Sequence, residues 1–207
     1  AVDENLLFMT LLLDLDRTLF DTSSFIDALI DTVLPTLSGS SHKDIRALFE
    51  AQRAGSGTLL YELNYDVILN ELGVTFEDFA QNTKTQLTPN AFVYDDAIEL
   101  MKWLAASGLK EQTKILSFGN RAVQSLKAAI SPALDVPLLT TDTFKRDYIK
   151  MNFSTELGYL VDDKSGQELP TGWTEIHLFR DAPSEVVQLS KFHWQIRSLQ
   201  NLQTIVQ

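Results

Sequence analysis

Asp14 and Asp16 stand one residue apart, directly after the apolar run Leu11-Leu12-Leu13. Two carboxylates at this spacing have three chemical uses. One can attack an electrophile, one can pass a proton, and both can face a cation. They can also simply cap a turn. An apolar run of this length, starting near Met9, reads as a strand buried on both faces. Ligands of open parallel sheets lie just beyond the carboxyl ends of the strands, so the pair emerges where a reactive site is expected. Two further strand exits carry suitable groups. Lys114 to Phe118 ends with Ser117 beside a Gly119-Asn120 loop, and Leu157 to Val161 runs into Asp162-Asp163. Lys145, before a helical stretch, can add a positive charge. Four carboxylates on one sheet edge repel one another unless a cation neutralises them. Oxygen ligands are what Mg²⁺ prefers, usually one or two carboxylates together with a substrate phosphate.

The elements that must position these groups alternate. After the first strand, Phe25, Ile26, Leu29, Ile30, Val33 and Leu34 recur at three and four residues, a helix that Thr22 or Ser23 can cap and that Pro35 and Gly39 end. A second helix has Ile45, Leu48 and Phe49 on one face and stops before Gly55-Ser56-Gly57. A third is expected from Leu59 to Leu72. A fourth starts at Thr75, with Glu77 and Asp78 in a first turn that suits carboxylates. No strand is expected here, so residues 21–90 read as an all-helical insert. From Asp95 the pattern becomes helix (Ala97 to Ala105, ended by Gly108), strand (Lys114 onward), helix (Arg121 to Ile130), weaker strand (Val136 to Leu139), a helical start near Lys145, strand (Leu157 to Val161) and strand (Thr174 to Phe179). The tail from Phe192 is expected to be helical. This alternation predicts an α/β fold, a Rossmann-like parallel sheet core with an inserted all-helical cap. The core is assigned to residues 9–20 and 91–207, and the cap to 21–90.

Composition narrows the function classes. The chain of 207 residues is 44% hydrophobic and 22% charged, the range of ordinary globular proteins. No apolar run approaches a membrane span of about 20 residues, and no secretory signal pattern is seen. The net charge of −11 argues against nucleic acid, whose phosphates need clustered Lys and Arg. A small phosphate compound remains compatible with an acidic protein when a divalent cation lies between them. The absence of cysteine excludes disulfides and thiolate metal sites and suits a cytoplasmic location. Ala1 to Phe8 look like an expression-linker or protease-site remnant, with Met9 as the natural start.

Asp14-Leu15-Asp16-Arg17-Thr18 resembles motif I of the haloacid dehalogenase (HAD) superfamily, the DxDx[T/V] signature. Ser117 after its apolar strand is similar to motif II, Lys145 resembles motif III, and Leu160-Val161-Asp162-Asp163 is similar to the acidic motif IV. The four occur in the family's order from Thr10 to Asp163, and Val93 to Leu100 resembles the helix leading to motif II. Lys150 is an alternative for the motif III lysine. Adjacent acids in motif IV are a variant of the family's more common Gly-Asp form. The resemblance implies a phosphatase of the C1-capped type. Asp14 would be the nucleophile toward phosphorus. Asp16 would be the general acid/base and would offer its backbone carbonyl to Mg²⁺. Ser117 would bind a phosphoryl oxygen together with backbone N–H groups near Leu15 and Phe118. Lys145 would hold nucleophile and phosphate, and Asp14, Asp16, Asp162 and Asp163 would form the metal site. The helical insert falls where the family places its C1 cap.

The expected function is a Mg²⁺-dependent phosphohydrolase acting on a small phosphorylated metabolite, as a monomer or weak dimer. The alternatives are a sugar phosphomutase of the same superfamily, or a non-catalytic binding protein on the same fold. A C–Cl dehalogenase is disfavoured, because that branch of the family lacks the acid at the position of Asp16. Asn120 reads as a loop residue or a substrate contact. His42, His177 and His193 show no mutual spacing for a metal site or relay. His177 and His193 are expected to pack, as are Trp103, Trp173 and Trp194.

Overall fold

Met9–Leu13 form strand β1, and all five residues are buried. Alternate side chains of a strand point to opposite faces. Leu11 and Leu13 accordingly join a large apolar cluster with Ile115, Val161 and Ile176 on one face, while Leu12 meets Leu116, Leu160 and Trp173 on the other. This is why a leucine run without polar alternation makes a central strand. The computed structural model describes residues 9–55 and 63–206. The remnant expected over Ala1 to Phe8, and the first residues of the helix expected from Leu59, lie outside them.

The other strands are β2 (Thr113–Phe118), β3 (Leu138–Thr141), β4 (Leu157–Asp162), β5 (Trp173–Leu178), β6 (Val186–Ser190) and β7 (His193–Ile196). They form one seven-stranded sheet in the order β3-β2-β1-β4-β5-β7-β6. Every neighbouring pair is parallel except β6 with β7. The expected α/β parallel sheet is therefore present. In register, Leu13 lies opposite Val161 and Ile115, so the exits of β1, β2 and β4 open on one edge. Gly158 lets β4 come close: a Cβ there would stand 2.5 Å from the Thr10 carbonyl oxygen and 2.7 Å from the Trp173 ring.

Between β1 and the next strand the described chain is helical. α1 (Thr22–Ala28), a π-helical turn (Leu29–Val33) and α2 (Leu34–Ser38) run on without a break. Two expectations are corrected here. The cap of α1 is Asp21 rather than Thr22 or Ser23: its Oδ1 accepts the N–H groups of Ser23 at 3.1 Å and Ser24 at 3.0 Å. Pro35 does not end the helix. It lies in the first turn of α2, where a missing N–H is tolerated, after a π turn in which the Leu34 N–H reaches back to Leu29. The helix stops at Gly39, whose φ of 69° is left-handed.

α3 (His42–Gly55), α4 (Tyr65–Glu71) and α5 (Phe76–Gln86) follow. α4 begins later than the apolar pattern suggests, because the Asn64 side chain accepts the Val67 N–H at 3.2 Å and fixes the start. The two ends of this helical segment lie side by side. Asp21 N–H donates to the Phe92 carbonyl at 2.7 Å, and Tyr94 N–H to the Leu19 carbonyl at 3.1 Å. Phe25 packs on Phe20 and Phe92 at this crossing, with ring centroids 5.3 and 5.5 Å away.

α6 (Asp95–Ser107), α7 (Arg121–Ala129) and α8 (Lys145–Asn152) are the helices of the sheet layer. The tail differs from expectation. His193–Ile196 is not helical but forms β7, paired in parallel to β5 and antiparallel to β6. Trp194 and Ile196 align with Ile176 and Leu178, so burial beside β5 decides its conformation. Only Leu199–Thr204 is helical, as a short 3₁₀ segment.

Candidate active site

Asp14 follows the last residue of β1, where its N–H donates to the Val161 carbonyl at 2.8 Å. Lys145 opens α8, and its Nζ donates to Asp14 Oδ1 and, at 2.7 Å, to Asp162 Oδ2. Lys150, the alternative, is exposed one turn later on the same helix. Asp162 closes β4 and is held from two further sides, by the Lys164 N–H at 2.9 Å and Gln167 Nε2 at 2.8 Å. The Thr18 hydroxyl donates to Asp14 Oδ2 at 3.3 Å and accepts from the Asp163 N–H at 3.1 Å, joining the loops after β1 and β4. The structure thus brings Asp14, Lys145, Asp162 and Asp163 together.

Asp16 faces a different set of partners. Its Oδ1 accepts from Thr22 Oγ1 at 2.5 Å and from Lys127 Nζ at 2.5 Å, and its Oδ2 accepts from Gln124 Nε2 at 2.9 Å. Ser117 is fully buried, and its Oγ has no hydrogen-bond partner among the described residues. The neighbouring Phe118 faces the open space instead. Asn120 caps α7, its Oδ1 accepting the Ala122 and Val123 N–H groups at 2.9 and 3.3 Å.

A cavity of about 490 Å³ opens over these groups. Asp14, Asp16, Lys127, Lys145, Asp162 and Asp163 give it a polar lining, and Ile26, Leu63 and Tyr65 from the helical segment add apolar lining.

Solved structures with the same architecture are similar to the chain over nearly its whole length. A haloacid dehalogenase-like hydrolase from Burkholderia xenovorans matches with a TM-score of 0.62 and 19% identity over 94% of each chain. The fold is that of the HAD-superfamily hydrolases. A HAD-hydrolase from Bacillus subtilis, bound to magnesium, matches with a TM-score of 0.57 and 18% identity over 96% of this chain and 98% of its own. A dehalogenase in an intermediate complex matches with a TM-score of 0.52 and 15% identity over 96% of each chain. No protein-family model and no curated protein matches the sequence.

Within this HAD fold the electrostatics divide the acids. Burial above all, then the Asp162 and Asp16 carboxylates, push Asp14 up to about 7 against the pull of Lys145. Burial and the adjacent Asp162 push Asp163 up to about 6. Burial alone would lower Lys145, but Asp14 and Asp162 outweigh it and hold the ammonium above its usual range. Burial would raise Asp16, but Lys127, followed by Thr22 and Gln124, brings its carboxyl below the ordinary range.

The residues fit a divalent cation. One oxygen each of Asp14, Asp162 and Asp163 lies within 4.8 Å of the others. Three carboxylates against the single Lys145 ammonium leave a formal charge of −2, which a dication matches. An all-oxygen donor set suits Mg²⁺. The Asp16 carboxylate is not part of this group, and the resemblance assigns only its backbone carbonyl to the metal.

Lys127, Gln124 and Thr22 were not among the residues expected in the site. A signal for two of them exists in the sequence. Val123, Gln124 and Lys127 share one face of α7 at spacings of three and four, so an amide and an ammonium occupy positions of the apolar face. His177 and His193 pack as expected, both half-buried: His177 Nε2 meets the Asp163 carbonyl at 3.1 Å, and His193 Nδ1 stands 3.9 Å from Glu175.

Proposed function

We propose that this protein is a Mg²⁺-dependent phosphohydrolase that acts on a small phosphomonoester through an aspartyl-phosphate at Asp14. The observation that carries the reading is the placement of Asp14: a buried carboxylate at a strand exit, held by Lys145, with Asp162 and Asp163 beside it and Asp16 two residues on. Asp14 Oδ attacks phosphorus, and the ester P–O bond breaks. The Asp16 carboxyl, which Lys127 holds ionised at rest, takes up the remaining proton of the bound ester monoanion and passes it to the departing alkoxide. Water then attacks the same phosphorus, its proton passes to Asp16, and the bond to Asp14 breaks to release inorganic phosphate. Lys145 orients Asp14 and offsets the phosphoryl charge. Ser117 Oγ, buried behind the cavity lining without a partner, would have to turn toward the cavity to donate to a phosphoryl oxygen. Asp14, Asp162 and Asp163, with the Asp16 carbonyl, would hold Mg²⁺, which supplies charge stabilisation to a loose phosphoryl-transfer transition state.

The helical segment over residues 21–90 serves as a C1-type cap. Its side-by-side ends are the junction, and Ile26, Leu63 and Tyr65 offer apolar lining to the ester group of the substrate. A departing chloride needs no proton, whereas an alkoxide does. The second acid therefore favours phosphate esters over carbon–halogen bonds, although dehalogenases share the fold.

The test is release of inorganic phosphate from 4-nitrophenyl phosphate and from a panel of phosphorylated metabolites, with and without Mg²⁺. Wild type is expected to turn over with the metal, and Asp14→Asn to lose about 10³-fold or more. Equal rates in the two proteins overturn the nucleophile. Isomerisation of a sugar phosphate without phosphate release indicates a mutase.

A further inference from the structure

Fully buried lysines are rare unless paired. Lys127 is 3% exposed, and its Nζ meets Asp16 Oδ1 at 2.5 Å, with the Phe20 ring centroid 5.8 Å away. Gln124, one turn earlier on α7, donates to the other carboxylate oxygen at 2.9 Å and to the Phe118 carbonyl at 3.0 Å. The second contact fixes the sense of the amide. Both donors come from a helix of the sheet layer, whereas Thr22, the third, comes from the start of the helical segment. An apolar pair of the same volume would fill this place without the desolvation cost of two charges, so stability alone does not account for Lys127. The pair also lines the cavity rather than a closed core.

We propose that Lys127 is a positioning residue: with Gln124 it locks the Asp16 carboxyl in the orientation from which it serves the leaving group. This rests on the reading of Asp14 and Asp16 given above. A carboxyl on a loop rotates about two side-chain bonds, and proton transfer requires it within hydrogen-bond reach of one particular oxygen. Donors on both carboxylate oxygens, anchored to one helix of the core, remove that freedom.

The experiment compares two esters. 4-Nitrophenol leaves readily without a proton, and an alkoxide does not. With Lys127→Met, kcat on the best alkyl phosphate of the panel is expected to fall about 10²-fold or more, and kcat on 4-nitrophenyl phosphate by clearly less, about tenfold at most. KM should change little on either. Equal losses on the two esters overturn the proposal. Lys127→Met leaves the part-buried Asp16 carboxylate without its cation and can impair folding, so a second comparison is made where that charge is absent. In an Asp16→Asn background, adding Lys127→Met should cost no further activity on 4-nitrophenyl phosphate. A further loss of about tenfold or more there means that Lys127 acts other than through Asp16, and overturns the proposal. Asp14→Asn separates the two levels. If it abolishes turnover while Lys127→Met affects both esters alike, only the role of Lys127 falls. If it is as active as wild type, the phosphatase reading itself falls.

Discussion

The Lys145 ammonium donates to Asp162 Oδ2 at 2.7 Å from the first turn of α8, while the same nitrogen reaches Asp14. One cation thereby ties the ends of the neighbouring strands β1 and β4, and none of the three side chains is more than 7% exposed. Its removal leaves two adjacent carboxylates buried without their common partner. Lys145→Met is expected to cost about 3 kcal/mol in denaturant unfolding of the metal-free protein. Mg²⁺ should recover more stability in the variant than in wild type, because the cation then offsets charge that Lys145 no longer balances. An unchanged unfolding midpoint would contradict this electrostatic role.

Much of this arrangement is legible in the sequence, for a physical reason. Leu11 to Leu13, and Leu160 and Val161 at the end of β4, are buried on both faces, so these runs read as strands without reference to a partner, and the acids after them mark their exits. Lys145 could be placed because it opens a helix between two such exits. Lys127 could not, since its role appears only when α7 packs against the loop carrying Asp16, a contact between residues 111 positions apart. The same applies to β7. His193 to Ile196 has no strong preference of its own and becomes a strand by pairing with β5 and β6. Pro35 failed as a stop signal because a π turn shifts the register just before it, which local residue preferences do not show.

The response to pH and metal should be coupled. The carboxyls of Asp14 and Asp163 are pushed up from 3.8 to about 7 and about 6, burial being the largest cause in both. The folded chain therefore binds more protons than the unfolded chain over that interval. Their contribution to stability is complete below the unfolded value and is lost as pH rises through about 6 to 7. Asp16 and Asp96 are lowered instead, and their contribution is lost only on acidification below the ordinary carboxylate range. The metal-free protein should thus lose stability between about pH 5 and pH 8. Mg²⁺ competes with those protons, so the rise in Tm that it causes should be larger near pH 7.5 than near pH 5.5. Thermal unfolding at both pH values, with and without the metal, checks this. Equal shifts would contradict it.

Gly158 sets the distance between β1 and β4, and so between Asp14 and Asp162. An added Cβ would stand 2.5 Å from a backbone oxygen of Thr10 and 2.7 Å from Cη2 of the buried Trp173. Neither neighbour is the free end of a flexible chain. Gly158→Ala should destabilise the protein by about 3 kcal/mol, the upper part of the range for overpacked cores. A midpoint within experimental error of wild type in urea unfolding would show that the strands can part without cost.

Asp96 anchors the C-terminal segment to the loop behind the site. Arg180 donates to it twice, through Nη1 at 2.7 Å and Nη2 at 3.1 Å, and the Ser198 hydroxyl and Leu199 N–H add contacts at 3.0 Å each. Arg180 Nη2 also donates to the Thr18 carbonyl at 2.9 Å, and Thr18 is the residue whose hydroxyl meets Asp14. An amide cannot replace this carboxylate, since one of its two ends would turn N–H groups toward donors. Asp96→Asn is expected to cost about 2 kcal/mol, the scale of a lost hydrogen bond to a charged group. The loss should shrink strongly in an Arg180→Met background, because the two residues act as one unit. Equal costs of Asp96→Asn with and without Arg180 would show that Ser198 and Leu199, not the arginine, carry the anchor.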